Sequence, residues 1–264
     1  MTPESVLQRR EQLTTDGFCV LEDILTDDFL EELRTETDRL LDSVDHPEQW
    51  KFQGSDLHVS GKENSVMEKL VNWRPSWEAL RDMGLGDFKS HGGYIILSKP
   101  PGGPPLYWHQ DWMDWNDPVS LAPWPQYLFL SYYLVDTDLV NGCFQIIPGT
   151  HRKRIPLHDE LEIPHQETAY FADEDDQAMF AKHRDAVDVP VKAGSLVIGE
   201  GRTLHAARGN QSDKRRTLLL GWHERPRDTI PSYWTGDVPE DLLDRDPDAE
   251  YPRTRVPGEY LVSE

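Results

Sequence analysis

Over roughly the first ninety residues, apolar positions recur at helical spacing; from Gly93 onward they fall into short blocks of strand character. Thr2-Pro3-Glu4 has the chemistry of a helix start: a hydroxyl to cap, a proline for the first turn, and an acid for the positive end of the dipole. This helix is predicted to reach about Leu13, with Asp16-Gly17 breaking it before an apolar strand at Phe18–Leu21. Thr26-Asp27-Asp28 caps a second helix, which places Phe29, Leu30, Leu33, Leu40 and Leu41 on one face. Residues 47–64 are polar and mixed, predicting loop with some strand, and Ser65–Met83 is helical in part.

The second half reads as strands separated by turn chemistry. Tyr94–Leu97 is followed by the Pro- and Gly-rich loop Lys99–Pro105, then by Leu106–Asp111 and Tyr127–Val135. Asn141-Gly142 signals a turn before Cys143–Ile147, which Pro148–His151 ends. Residues 151–183 form a polar, acidic excursion, predicted as loop with one helix and a solvated face. Strands resume at Val187–Val191, Ser195–Ile198, Leu204–Ala207 and Arg216–Trp222. After Trp234 the chain is rich in acids and proline with little periodicity. No internal repeat is present. Many short strands with turn signals predict a double-sheet jelly roll.

Composition narrows the function. The 264 residues fit one domain. The expected division is helical support over about 1–90, a jelly-roll core over about 91–225, and an acidic, Pro-containing tail over about 235–264. With 27 basic against 48 acidic residues, the net charge is −21. That balance disfavours nucleic acid and anionic membranes as partners. A small anionic ligand remains compatible, because one local basic pocket can hold it. Two cysteines, Cys19 and Cys143, make no disulfide framework and read as reduced, buried thiols of a cytoplasmic protein. The first residues lack the pattern of a signal peptide. No apolar run approaches the ~20 residues that span a bilayer. Nothing in the sequence specifies an oligomeric state.

Candidate chemistry centres on His109-Gln110-Asp111. Alternation along a strand would point His109 and Asp111 to one face. His205, far downstream, supplies a second imidazole. Two histidines and one carboxylate form the facial triad of non-haem Fe(II) oxygenases, leaving open positions for co-substrate and dioxygen. Arg216 lies beyond the turn Gly209–Asp213, which predicts a hairpin returning it to the same barrel. Its guanidinium can hold a dicarboxylate whose other end chelates the metal. Arg215 competes for this role. Strand neighbours face opposite sides, so only one of the two arginines can face the interior.

These segments, with Asp16-Gly17-Phe18, Ser98-Lys99-Pro100-Pro101, Asn141-Gly142-Cys143, Ile147–His151, Gly194–Val197 and Asn210-x-Ser212, resemble in order the phytanoyl-CoA dioxygenase (PhyH) family of Fe(II)/2-oxoglutarate oxygenases. The resemblance implies a mainly β fold: a double-stranded β-helix (jelly-roll, cupin-like) core with flanking N-terminal helices. It implies His109, Asp111 and His205 as iron ligands and Arg216 as the anchor of 2-oxoglutarate, with Ser131 on the strand lining the co-substrate pocket. The implied reaction uses O2 to hydroxylate, desaturate or cyclise a small molecule, releasing succinate and CO2. A carboxylate at Asp111 argues against halogenation, for which relatives vacate that position.

Trp-His-Gln-Asp-Trp-x-x-Trp also resembles the ectoine hydroxylase branch, where the residue matching Trp115 contacts substrate. The strand positions that are polar in that branch are Gly93, Ile95 and Leu97 here, which argues against ectoine. Trp112, Trp115 and Trp222 are the candidate substrate contacts; an aromatic lining suits a bulky apolar or a cationic molecule. Two alternatives stand beside this reading. One is a non-catalytic or regulatory binding module on the same barrel. The other is a cupin-like metalloenzyme that does not use 2-oxoglutarate, for which Arg216 would be dispensable.

Overall fold

Two helices open the chain in the computed structural model, which describes residues 3–164, 166–254 and 262–263. Thr2, the expected cap, lies outside them. Helix α1 (Pro3–Asp16) continues past Leu13. The Thr14 and Thr15 hydroxyls bond back to the Arg10 and Glu11 carbonyls at 3.0 and 2.8 Å, so they tolerate another turn. Gly17 ends it at φ 86°, where a Cβ would lie 2.1 Å from the Thr203 hydroxyl. Helix α2 (Asp27–Leu41) is capped by Thr26, which accepts from the Phe29 N–H. It buries Phe29, Leu30, Leu33 and Leu41. The stretch expected to be helical in part is two helices, α3 (Ser65–Val71) and α4 (Arg74–Asp82). Pro75 has no N–H for the Val71 carbonyl; the Trp77 indole bonds that carbonyl instead, at 2.8 Å.

The strands are β1 (Phe18–Leu21), β2 (Leu57–Ser60), β3 (Lys89–Ser90), β4 (Gly93–Lys99), β5 (Leu106–His109), β6 (Tyr127–Tyr133), β7 (Phe144–Ile146), β8 (Lys153–Arg154), β9 (Val187–Val189), β10 (Leu196–Glu200), β11 (His205–Ala207), β12 (Arg216–Glu224) and β13 (Val262–Ser263). A seven-stranded sheet runs β1-β10-β6-β12-β4-β2, with β3 on the end of β12. A four-stranded sheet runs β5-β11-β7-β9, and β13 pairs with β8. Every pairing within the two larger sheets is antiparallel.

Period-two alternation sorts the large sheet's side chains between two cores. Ile96, Leu130, Ile198 and Leu219 face the helices and join Leu13, Phe29, Leu33, Met67 and Leu80. Ile95, Leu97, Phe129, Val197 and Leu218 face inward and meet Phe144 and Ile146 of the small sheet. The helices thus stiffen one face of the large sheet and leave its other face for the cavity between the sheets. The 151–183 excursion holds three one-turn helices, Leu157–Glu160, Glu167–Tyr170 and Gln177–Phe180, where one helix was expected. Cys19 and Cys143 are buried free thiols. Among the described residues, no helix is long and apolar enough to cross a membrane.

Candidate active site

His109 and His205 face each other across the β5–β11 ladder, their ring centroids 4.2 Å apart. Each ring is oriented by a backbone carbonyl. Nδ1 of His109 meets the Tyr107 oxygen at 2.9 Å, and Nδ1 of His205 meets the Thr203 oxygen at 2.9 Å. A carbonyl only accepts, so each Nδ1 carries the proton and each Nε2 presents a lone pair.

Asp111 reaches the same point by a different route from the one alternation predicts. β5 stops at His109, and Asp111 follows in a bend. The Asp111 and Trp112 N–H groups both donate to the Gly201 carbonyl, at 2.8 and 3.0 Å. That carbonyl, and not the strand pleat, aims the carboxylate. Asp111 Oδ1 lies 3.7 Å from His109 Nε2 and 4.0 Å from His205 Nε2. The three donor atoms lie within 4.8 Å of one another. Two neutral imidazole nitrogens and one carboxylate oxygen so close together suit iron(II). Phe129 supports this side, its ring 4.7 Å from that of His205. Gly199 makes room for it; a Cβ there would come within 1.9 Å of the Phe129 ring.

The expected hairpin between His205 and Arg216 is not formed. β11 belongs to the small sheet and β12 to the large one. The 208–215 link crosses between them, pinned by the Asn210 amide, which donates to the Lys99 and Pro100 carbonyls at 3.1 Å and to that of Lys214 at 2.7 Å. His205 and Arg216 therefore stand on facing walls. Arg216 is 4% exposed and lines the cavity, while Arg215 is exposed and donates to Ser98 Oγ at 3.3 Å. Arg216 Nε has no hydrogen-bond partner among the described residues. A buried guanidinium N–H in that state fits a carboxylate ligand. Burial lowers the Arg216 pKa, opposed by Tyr133 and Cys143. Lys99, opposite Arg216 in the β4–β12 register, is buried with its ammonium on the Pro104 and Arg208 carbonyls. Burial and the Arg216 charge hold its pKa well below the usual value.

The cavity between the walls measures about 380 Å³. Arg216, Ser131, Tyr133, Leu97 and Leu218 line it together with the His/Asp/His cluster, and so do Phe52, Asp56, His58, Met113, Tyr170 and Trp222. Trp112 and Trp115, expected as substrate contacts, are not on its wall. They pack with Val119, Ala122 and Trp124 against Trp234 and against Val238 and Leu242 of the tail. The cause is Arg202, whose buried guanidinium binds Glu200 and the carbonyls of Ser120, Ala122 and Trp124, folding that loop onto itself. Trp222 does line the cavity, and its indole N–H donates to Asp111 Oδ2 at 2.9 Å. Asp56 and His58 carry no distinct signal in the polar, mixed segment 47–64, which predicts loop with some strand. Their alternation on and beside β2, next to Ile95 of β4, was the available signal.

A two-sheet barrel that seats two imidazoles and a carboxylate opposite a buried arginine is the design of the Fe(II)- and 2-oxoglutarate-dependent dioxygenases, and this chain is one of them. Within that class it belongs to the phytanoyl-CoA dioxygenase (PhyH) family, whose sequence profile matches residues 13–218. It is 28% identical over 221 residues to a probable alpha-ketoglutarate-dependent hypophosphite dioxygenase of Stutzerimonas stutzeri, covering 82% of this chain and 68% of that protein. It is 24% identical over 216 residues to the ectoine dioxygenase of Nocardia farcinica, covering 76% and 72%. In structure it is similar to the non-heme alpha-ketoglutarate-dependent epimerase SnoN from nogalamycin biosynthesis, with TM-score 0.63, 18% identity and 98% of each chain covered.

Proposed function

We propose that this chain hydroxylates a small molecule, with His109, Asp111 and His205 holding Fe(II) and Arg216 holding the distal carboxylate of 2-oxoglutarate. Bound iron and 2-oxoglutarate supply the oxidising chemistry: one oxygen atom of O2 enters succinate, CO2 leaves, and the other atom enters the substrate. The protein's share is orientation. The Tyr107 and Thr203 carbonyls fix the imidazole tautomers. Ile95, Leu97, Phe129 and Leu218 keep the co-substrate end apolar, which strengthens the Arg216–carboxylate pair. Ser131 lines the same cavity and offers that co-substrate a hydroxyl.

The observation that carries this reading is the buried, unpartnered Arg216 Nε in the same cavity as the His/Asp/His cluster. Anaerobic Fe(II) plus 2-oxoglutarate is expected to give the weak visible metal-to-ligand charge-transfer band. Arg216→Ala should weaken 2-oxoglutarate binding roughly 10- to 100-fold, the worth of a hydrogen-bonded charge pair. A wild-type protein without the band sinks the proposal, and unchanged affinity in the variant shows that another group anchors the co-substrate.

The cavity also supports a substrate class. Away from Arg216 and the cluster its lining is mostly aromatic and aliphatic, with Asp56 as the remaining carboxylate. A neutral or cationic molecule with an apolar body fits this chemistry better than an anion. Ile95 and Leu97 line the wall where the ectoine branch is polar, which disfavours ectoine. The strongly acidic composition supports a small molecule over nucleic acid or an anionic membrane, and the two reduced cysteines support a cytoplasmic setting. We read the chain as one functional unit, helical support over about 1–90, core over about 91–225 and tail over about 235–264.

A further inference from the structure

Asp111 turns its two oxygens to different partners. Oδ1 faces Nε2 of both histidines, at 3.7 and 4.0 Å. Oδ2 accepts the Trp222 indole N–H at 2.9 Å. We propose that Trp222 is a positioning residue that commits Asp111 to binding iron through one oxygen. This rests on the reading of the cluster as an iron site.

A carboxylate can hold a metal through one oxygen or chelate it through both. In a six-coordinate site, chelation by Asp111 would leave two positions beside the two imidazoles. Co-substrate chelation needs two and dioxygen a third, so a chelating Asp111 would block one of them. The indole is suited to preventing this. It is a donor only, so it cannot become a ligand itself. It is neutral, so it leaves the carboxylate its charge as a cationic partner would not. Its place is fixed by the strand: Arg216, Leu218, Leu220 and Trp222 alternate along one face of β12, all on the cavity wall. β12 is paired on both sides, and Trp222 lies opposite Phe129 of β6. One rung of the large sheet thus supports two residues of the cluster on the facing wall, with Phe129 packed on His205 and Trp222 bonded to Asp111.

Two replacements separate the N–H from the ring. Trp222→Phe removes the donor and part of the packing. Site-specific β-(3-benzothienyl)alanine at 222 puts sulfur where the N–H was and keeps the shape. Anaerobic Fe(II) titration and the charge-transfer band with 2-oxoglutarate are read on wild type and both variants, with thermal unfolding of each apo-protein as the fold control. Both variants are expected to fold, to bind Fe(II) about tenfold more weakly, and to shift or lose intensity in the band. Cobalt(II)-substituted variants with 2-oxoglutarate should show a magnetic circular dichroism spectrum altered from wild type, as expected when the carboxylate changes its binding mode. A benzothienyl variant with wild-type affinity and spectra overturns the proposal, and loss confined to Trp222→Phe assigns Trp222 to packing and overturns it too. A wild type with no iron or co-substrate signal overturns the underlying iron-site reading instead.

Discussion

A carbonyl oxygen beside each imidazole decides which nitrogen faces the metal site, and this is the finest scale at which the sequence and the structure part. That His109, Asp111 and His205 gather in one cavity with Arg216 was legible because ligand chemistry restricts residue type. Their orientation was not, since the Tyr107, Thr203 and Gly201 carbonyls that set it carry no side-chain signature. The same holds at the cavity's aromatic end, where Asp56 and His58 looked like ordinary polar residues of a mixed segment. His58 Nε2 lies 3.3 Å from Asp56 Oδ1, and that bond raises the His58 pKa. On the proposal that Arg216 holds the co-substrate, Asp56 is the lining carboxylate left to meet a substrate cation. A screen of small molecules for stimulated succinate release should therefore score neutral and cationic apolar compounds above anions. Asp56→Asn should raise KM for a cationic hit roughly tenfold with little change in kcat, the pattern of lost uniform binding. Stimulation confined to anionic compounds would refute the assignment.

At the level of elements, hydrophobic blocks located the strands well, but the connections followed tertiary forces. Gly209–Asp213 has the composition of a hairpin turn, yet the link crosses between sheets because Asn210 is bonded to the Lys99, Pro100 and Lys214 carbonyls. The segment after Asp111 reads as a possible aromatic lining, yet it packs on itself around Arg202. That guanidinium bonds Glu200 at 3.0 Å and the Ser120, Ala122 and Trp124 carbonyls at 2.7–3.0 Å, all buried. Gln110, between the two metal-ligand candidates, turns away from the site and donates to the Arg202 carbonyl. Arg202 thus ties the loop to the turn that aims Asp111. Arg202→Met leaves Glu200 buried without its partner and should destabilise the fold by about 3–5 kcal/mol. Urea unfolding measures this; a loss below 1 kcal/mol would mean that water or another cation replaces the guanidinium.

For the whole molecule, the jelly roll was legible because antiparallel strands with one wet and one dry face leave a period-two trace. The tail was not, because its contacts are distant in sequence: Arg245 reaches Asp117, Arg253 reaches Asp114, and Val238 and Leu242 pack on the Trp112–Trp124 segment. The distribution of buried histidines sets a property of the entire fold. Burial holds His151 down to about 3, and His158 and His223 to about 4. In the unfolded chain each titrates near the usual value of about 6.5. Between pH 6.5 and 4 the unfolded state binds more protons than the folded one, so stability rises with pH across that window and falls on acidification. At pH 5 each histidine accounts for about 2 kcal/mol of that loss. Glu200 works in the opposite sense, because burial raises its pKa, but it is one group against three histidines. The urea midpoint of the apo-protein should therefore drop steeply from pH 7 to pH 5. His223→Gln, on the outer face of β12 against Trp77, should flatten that drop by about a third while leaving iron binding intact. A variant with the wild-type pH slope would show that His223 takes up a proton in the folded state.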